Sequence, residues 1–352
     1  MDINVRVQPL TEFCVEALRR AGLDEMDART TANVLVMTDT WGTFSHGTGG
    51  LFNYVRSIRA GGINPKAKPE VVAGGDSWAV IDAHGGMGMP ACCMAMNLAI
   101  EKARTDTIAW VGVKNSSHFG AAGYYANLAA EENMIGIAMS AADPNMVIPG
   151  ARGHVIGNNP LAYAVPAGSE PPILLDIALS ASAFGKIMGM KKLGENVPAN
   201  WITDAEGTMT TSLANWPETG SLMPMAGHKG YGLALLIEVL AGLLPGGSTL
   251  SQMKSWVHAP EEPARLGQAF VAINVESILP FTDFTRRVQE MVQELRHAPK
   301  ALGCARTYVP GEIEWEKRAA ALQNGIPLPA GVMASLQNAG EACGVEMSLL
   351  QS

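Results

Sequence analysis

Gly86-Met87-Gly88-Met89-Pro90-Ala91 decides how the rest of the chain is read. It matches G-x-G-x-x-A, follows a strand-like run over 78–81, opens a helical run over 91–104, and is followed by a second strand through 110–113. That is the setting a dinucleotide-binding turn requires, with pyrophosphate at the helix start. The acidic residue expected at the end of the second strand is absent, and Lys114 and Asn115 stand there instead. A lysine could suit a 2′-phosphate. A plain glycine turn that starts a helix explains the same residues, so both readings stand at this point.

Working outward, residues 9–22 set Leu10, Phe13, Cys14, Ala17 and Leu18 at helical spacing, ending at Gly22. A second helix is expected over 24–41 and a third carries Leu51, Tyr54, Val55 and Ile58 up to Gly61-Gly62. The period then changes. Val71-Val72 and residues 78–81 flank Gly74-Gly75-Asp76 as a hairpin. Strands are expected over 135–139, 161–165, 173–177 and 269–275, with helices over 121–133, 180–189, 229–244, 282–297, 312–324 and 330–342. The alternation predicts an α/β or α+β protein around a central sheet. Residues 194–221, rich in Pro, Asn, Thr and Gly, read as one long loop.

The bulk properties exclude several classes. Of 352 residues, 47% are hydrophobic and 16% charged, enough apolar surface for a sizeable core. A net charge of −8, with no basic cluster longer than Arg286-Arg287 or Lys191-Lys192, argues against nucleic acid as a partner. The five cysteines are odd in number and lack C-x-x-C, so neither a disulfide framework nor a zinc site is expected. No cationic stretch precedes an apolar one at the N-terminus, so no signal peptide is expected. The longest apolar run, 231–244, contains Glu238 and stops at Pro245, too short for a bilayer. A soluble, cytoplasmic protein with no membrane partner is the expectation.

Two of the seven histidines sit in matching surroundings: Ser45-His46-Gly47 and Asn115-Ser116-Ser117-His118-Phe119-Gly120. Imidazole titrates near neutral pH and so suits proton transfer, although a single histidine is usually a satisfied structural one. No third His, Cys or carboxylate stands at ligand spacing, so no metal is expected. Asp143-Pro144-Asn145, Pro149-Gly150-Ala151-Arg152 and Gly157-Asn158-Asn159-Pro160 are loops able to turn backbone donors toward a ligand, or ordinary turns. Asp176, Ser180 and Ser182 are placed to cap the helix that follows. Gly227-His228-Lys229-Gly230-Tyr231-Gly232 opens the most apolar helix with a lysine and free N–H groups, a setting for an anion, without P-loop spacing.

Taken in order, these segments resemble one family, the type-2 malate/L-lactate dehydrogenases, whose relatives include ureidoglycolate dehydrogenase, diketogulonate reductase, sulfolactate dehydrogenase and piperideine-carboxylate reductase. The matching elements also include Asp176-Ile177-Ala178-Leu179-Ser180, Gly185-Lys186 and Pro310-Gly311-Glu312, and together they span nearly the whole chain. The resemblance implies hydride transfer between NAD, with NADP as the alternative, and a small 2-hydroxy or 2-oxo acid. It also implies a non-Rossmann fold with a largely antiparallel sheet, so that the Gly86–Ala91 turn is structural, and a homodimer as working unit. A discontinuous helical domain (1–70 with 281–352) and a cofactor-binding sheet domain (71–280) are expected. By resemblance His46 and His118 are the catalytic pair: His46 would be the proton donor or acceptor at the substrate oxygen, and His118 would lie beside the substrate and is the proton acceptor in some members. Ser45, Tyr54, Asp143 and Arg152 are the candidate substrate contacts. Asn158, Asp176, Ile177, Ala178, Leu179, Ser180, Ala181, Ser182, His228, Lys229, Gly311, Glu312 and Ile313 would line the cofactor. Two departures stand out: Gly50 occupies the place where many relatives carry a carboxylate-clamping arginine, and Asn158 replaces a common threonine. The alternatives are a reductase of a cyclic imine or diketo sugar acid, and a nicotinamide-binding protein without catalysis.

Overall fold

The computed structural model describes residues 3–351. Its centre is a seven-stranded sheet made of β1 (Glu70–Gly74), β2 (Trp78–Asp82), β3 (Ile108–Ser116), β4 (Met134–Ser140), β5 (Leu161–Ala167), β6 (Glu170–Ile177) and β7 (Leu266–Asn274). The spatial order is β1-β2-β3-β7-β4-β5-β6. Only β2 and β3 run parallel; the remaining pairings are antiparallel. β7 arrives late in the sequence and inserts between β3 and β4, with Phe270 opposite both Val111 and Ala138. Neighbouring residues of a strand face opposite sides. Phe270 accordingly joins the core beneath the helices, whereas Ala269 joins a second core on the other face with Met139, Ala234 and Ala241.

Ten helices surround the sheet among the described residues: α1 (Val7–Ala21), α2 (Glu25–Thr40), α3 (Leu51–Ala60), α4 (Gly88–Asp106), α5 (Ala122–Glu131), α6 (Phe184–Leu193), α7 (His228–Ile237), α8 (Phe281–Arg296), α9 (Glu312–Asn324) and α10 (Ala330–Cys343). α10 packs on α1 and α3, and α9 on α2. The strands Ile3–Val5 and Ile326–Leu328 pair near the two ends of the chain. α8 lies elsewhere, with Val288 and Val292 against Ala167 and Ile173 of the sheet edge. No helix among the described residues is long and apolar enough to cross a membrane.

Several local expectations change. The helix placed over 180–189 begins at Phe184, because the preceding residues are held extended: Ala181 N–H donates to Met223 and Ser180 bridges to Pro224. Asp176, Ser180 and Ser182 therefore do not cap it. Ser180 Oγ donates to the Ser182 carbonyl, and Asp176 accepts the Gly123 N–H at the start of α5. The segment 194–221 is not one open loop but contains the hairpin Ile202–Thr203 with Met209–Thr210. α7 ends in a π-helical turn, Glu238–Leu243, where Leu244 N–H reaches back to Val239. Glu238 itself accepts from Asn159 and the Leu250 N–H.

Candidate active site

The two histidine motifs meet. His46 leaves the turn after α2, His118 leaves the connection between β3 and α5, and their ring centroids lie 5.6 Å apart. His118 stacks on Trp256 at 4.4 Å and 16°, and Tyr54 of α3 stacks on the same indole at 4.8 Å and 20°. The Tyr54 hydroxyl is 2.6 Å from His118 Nδ1, which also accepts the Gly120 N–H at 3.3 Å. Ser45 Oγ lies 2.9 Å from His46 Nδ1. Both imidazoles are half-buried. Burial pushes the His46 pKa down; burial, then the neighbouring His46, push His118 to about 3. Two neutral imidazoles side by side can exchange or share protons with a ligand between them.

Close packing fixes this pair. Beneath His46, Asp39 is 1% exposed and accepts the Thr48 N–H and hydroxyl through Oδ2. Its Oδ1 lies so near Gly47 that a Cβ there would be 1.8 Å away, so only glycine lets the Ser-His-Gly turn settle on the carboxyl group. On the other side, Gly88 answers the question posed by the glycine turn. Its N–H donates to Ser117 Oγ, and a Cβ on it would lie 2.5 Å from the Ser117 carbonyl and 2.6 Å from that of His118. The start of α4 is filled by the histidine loop, leaving no cradle for a pyrophosphate there. Gln268 of β7 donates to the same Ser117 carbonyl, tying the loop to the middle of the sheet.

The segments expected to line a cofactor form a connected wall. Leu179 donates to the Asn158 carbonyl and accepts from Met225, while Ala181 donates to Met223, which carries the chain to the exposed His228 and Lys229 at the start of α7. At the other end of the wall, a Cβ on Gly185 would be 3.6 Å from that of Ser45. Asp143 takes a hydrogen bond from Ser255, the neighbour of Trp256, and burial raises its pKa. Arg152 is exposed beside the Gly207 turn and does not join the ring cluster. Glu312 spends its carboxylate on Arg296, Arg306 and the Val309 N–H, which makes it a clamp at the start of α9. Ile313 is exposed beside it, and Gly311 packs on Leu174.

Comparison with known proteins now decides the family. The malate/L-lactate dehydrogenase family model matches residues 5–337. The chain belongs to the malate/L-lactate dehydrogenase family. The malate dehydrogenase of Pyrococcus abyssi is 36% identical over 98% of this chain and 96% of its own length. The ureidoglycolate dehydrogenase (NAD(+)) of Escherichia coli O157:H7 is 32% identical over 93% of each chain. The solved sulfolactate dehydrogenase of Methanocaldococcus jannaschii superposes with a TM-score of 0.90 at 32% identity, covering 98% of each chain. This malate/L-lactate dehydrogenase relative is thus an enzyme of oxidoreductase type on a non-Rossmann sheet.

The residues present fit the nicotinamide dinucleotide that membership in this family implies. At the start of α7 the Gly230 N–H is given to the Met225 carbonyl, but the His228 and Lys229 N–H groups have no backbone partner among the described residues, and the Lys229 side chain stands exposed beside them, a donor set suited to a diphosphate. Asn145 donates to Asn158, while its buried Oδ1 has no partner among the described residues and is open to an amide or hydroxyl donor. Three features of the site were not read from the sequence: Trp256, the Asp39 brace and the Gly120 N–H. Trp256 lies in a stretch without periodicity and gave no signal. Asp39, four residues after Leu35 on a buried helix stripe, carried one: an acid facing a core needs a reason.

Proposed function

We propose that this enzyme moves a hydride between NAD and a small 2-hydroxy or 2-oxo acid. The observation that carries the proposal is the meeting of His46 and His118 at 5.6 Å beside the wall that joins Ser45 to Lys229. Bound along that wall, the nicotinamide ring would supply the hydride chemistry. The protein's own task is to hold the acid with its hydroxyl or carbonyl oxygen between two neutral imidazoles and to handle one proton there. Tyr54 and Trp256 fix one ring and Ser45 engages the other, so the oxygen meets groups already oriented.

Position 50 bears on which acid is used. A Cβ on Gly50 would lie 3.2 Å from Tyr54 Cε2 and 3.8 Å from Trp256 Cη2, so a long side chain there would have to pass the aromatic stack. We place Ser45, Tyr54 and Asp143 on the substrate side, the run Asp176 to Ser182 with Asn158, His228 and Lys229 on the cofactor side, and leave Arg152 and Glu312 out of direct contact. Initial rates with malate, lactate, sulfolactate and ureidoglycolate, and with the matching 2-oxo acids, under NAD and NADP in turn, test the proposal. Turnover of at least one pair supports it. Dinucleotide binding with no turnover of any acid would leave a binding protein instead.

We further propose a cytoplasmic homodimer. α7 and its π turn expose Leu233, Leu235, Leu236, Val239, Leu243 and Leu244 as one apolar face, more than a lone chain ordinarily leaves to water. Light scattering of wild type and Leu236→Asp checks this: a dimer that the substitution dissociates is the expected result, and a wild-type monomer would refute it.

A further inference from the structure

We propose that Lys186 binds the carboxylate of the substrate and so sets a preference for acids over their neutral derivatives. The inference rests on the functional reading above, in which a 2-hydroxy or 2-oxo acid lies between His46 and His118.

An acid held there brings a full negative charge into a half-buried site. A carboxylate taken out of water without a partner is costly, so positive charge has to meet it. The imidazoles do not supply it, because burial lowers both pKa values and leaves the rings neutral near pH 7. Asp143, on the substrate side, has no positive charge to offer. Several cations in the neighbourhood are engaged elsewhere. Arg56 of α3 gives its guanidinium to the Val257 carbonyl, and His154 Nε2 meets the Gly220 carbonyl at 2.9 Å. Arg152 stands beside the Gly207 turn, and Lys229 stands at the start of α7.

Lys186 differs in place and in company. It follows Gly185 in the first turn of α6, and a Cβ on Gly185 would lie 3.6 Å from that of Ser45. Ser45 Oγ is in turn 2.9 Å from His46 Nδ1, so the backbone that carries Lys186 borders the histidine pair. Glycine at 185 keeps that approach open, since any side chain would lie against Ser45. Lys186 is exposed and forms no ion pair among the described residues; its ammonium rests 4.8 Å from the centre of the Trp201 ring. Trp201 backs the same wall: its carbonyl accepts the Met223 N–H, and the Met223 carbonyl accepts that of Ala181. A cation over an exposed ring is held weakly, and the flexible four-carbon stem lets it turn to a stronger partner. A positive charge in a first helical turn also opposes the helix dipole, and α6 has no acid there to offset it. An incoming carboxylate answers both.

The test measures reduction of the 2-oxo acid that the wild type turns over fastest, and of its C1 methyl ester, which keeps the reacting carbonyl and loses the charge. Wild type, Lys186→Met and Lys186→Arg are compared at saturating NADH. For the acid, Lys186→Met is expected to lose about 10–100-fold in kcat/KM, chiefly through KM, the effect of one hydrogen bond to a charged group. Lys186→Arg should recover most of that loss, because it restores the charge. The ester should be handled alike by all three proteins. An unchanged KM for the acid in Lys186→Met would overturn the proposal. So would an equal loss on acid and ester, which is what a merely structural contact with Trp201 would give. Fluorescence titration with NADH should find the same affinity in wild type and Lys186→Met; weaker binding by the variant would put the ammonium on the cofactor and overturn the proposal too. No turnover of any acid by the wild type would refute the functional reading, and the carboxylate contact with it.

Discussion

Replacing Asp39 by asparagine gives a stability change whose size and pH course follow from the structure. Asp39 is almost wholly buried; Thr48 satisfies one oxygen, and the other has no partner among the described residues. Burial outweighs the Thr48 bonds and raises the pKa from 3.8 to about 7. The folded protein therefore binds this proton more tightly than the unfolded chain does. The resulting stabilisation is complete below about pH 4 and is lost as the pH rises through about 7. At about 1.4 kcal/mol per pH unit, the loss between these limits is about 4 kcal/mol. Asparagine keeps an acceptor for Thr48 and cannot ionise. Guanidinium unfolding of both proteins at matched pH and fixed concentration isolates the term, since every other titration cancels in the difference. Asp39→Asn should gain about 4 kcal/mol on wild type between about pH 4 and pH 8. Parallel stability curves would show that the carboxyl is ionised in the folded state and that the account of the Ser-His-Gly turn is wrong.

Three further outcomes are expected. His46→Ala should lower kcat by about 10²–10⁴-fold while calorimetry finds NADH affinity near wild type; unchanged turnover would remove His46 from the chemistry. Lys229→Ala should weaken dinucleotide binding about tenfold, the loss of one charge-assisted contact at a helix start, and an unaltered Kd would place the diphosphate elsewhere. Gly88→Ala forces a methyl group against two backbone carbonyls and should cost about 1–3 kcal/mol in thermal or chemical unfolding. A variant as stable as wild type would mean that the start of α4 is not held against the His118 loop.

Much of the frame was legible because the elements are long and periodic. The first three helices announce themselves through apolar stripes ended by glycine, α9 and α10 end on Gly325 and Gly344, and α8 stops shortly before Pro299. The parallel β2–α4–β3 unit was legible too, and with it came the false promise of a dinucleotide turn. Local pattern could not separate the two readings. Both require Gly88 for close approach, and only the fold shows that the approaching group is the His118 loop. The central place of β7 was hidden, because its partners lie more than a hundred residues away in sequence. The histidine motifs were visible as motifs, but Trp256, which completes the stack, comes from a non-periodic loop brought in by tertiary packing alone. The start of α6 was misjudged because hydrogen bonds to 223–224, remote in sequence, hold 180–181 extended.

Mass spectrometry of the product formed from a 2-oxo acid and NADH deuterated on the transferred face of C4 tests direct hydride transfer at this site. The expected product is a 2-hydroxy acid carrying one deuterium at C2, formed by the wild type and about 10²–10⁴-fold more slowly by His46→Ala. A product without deuterium, or one made equally well by the variant, would contradict the assignment of this histidine pair to hydride-coupled proton transfer.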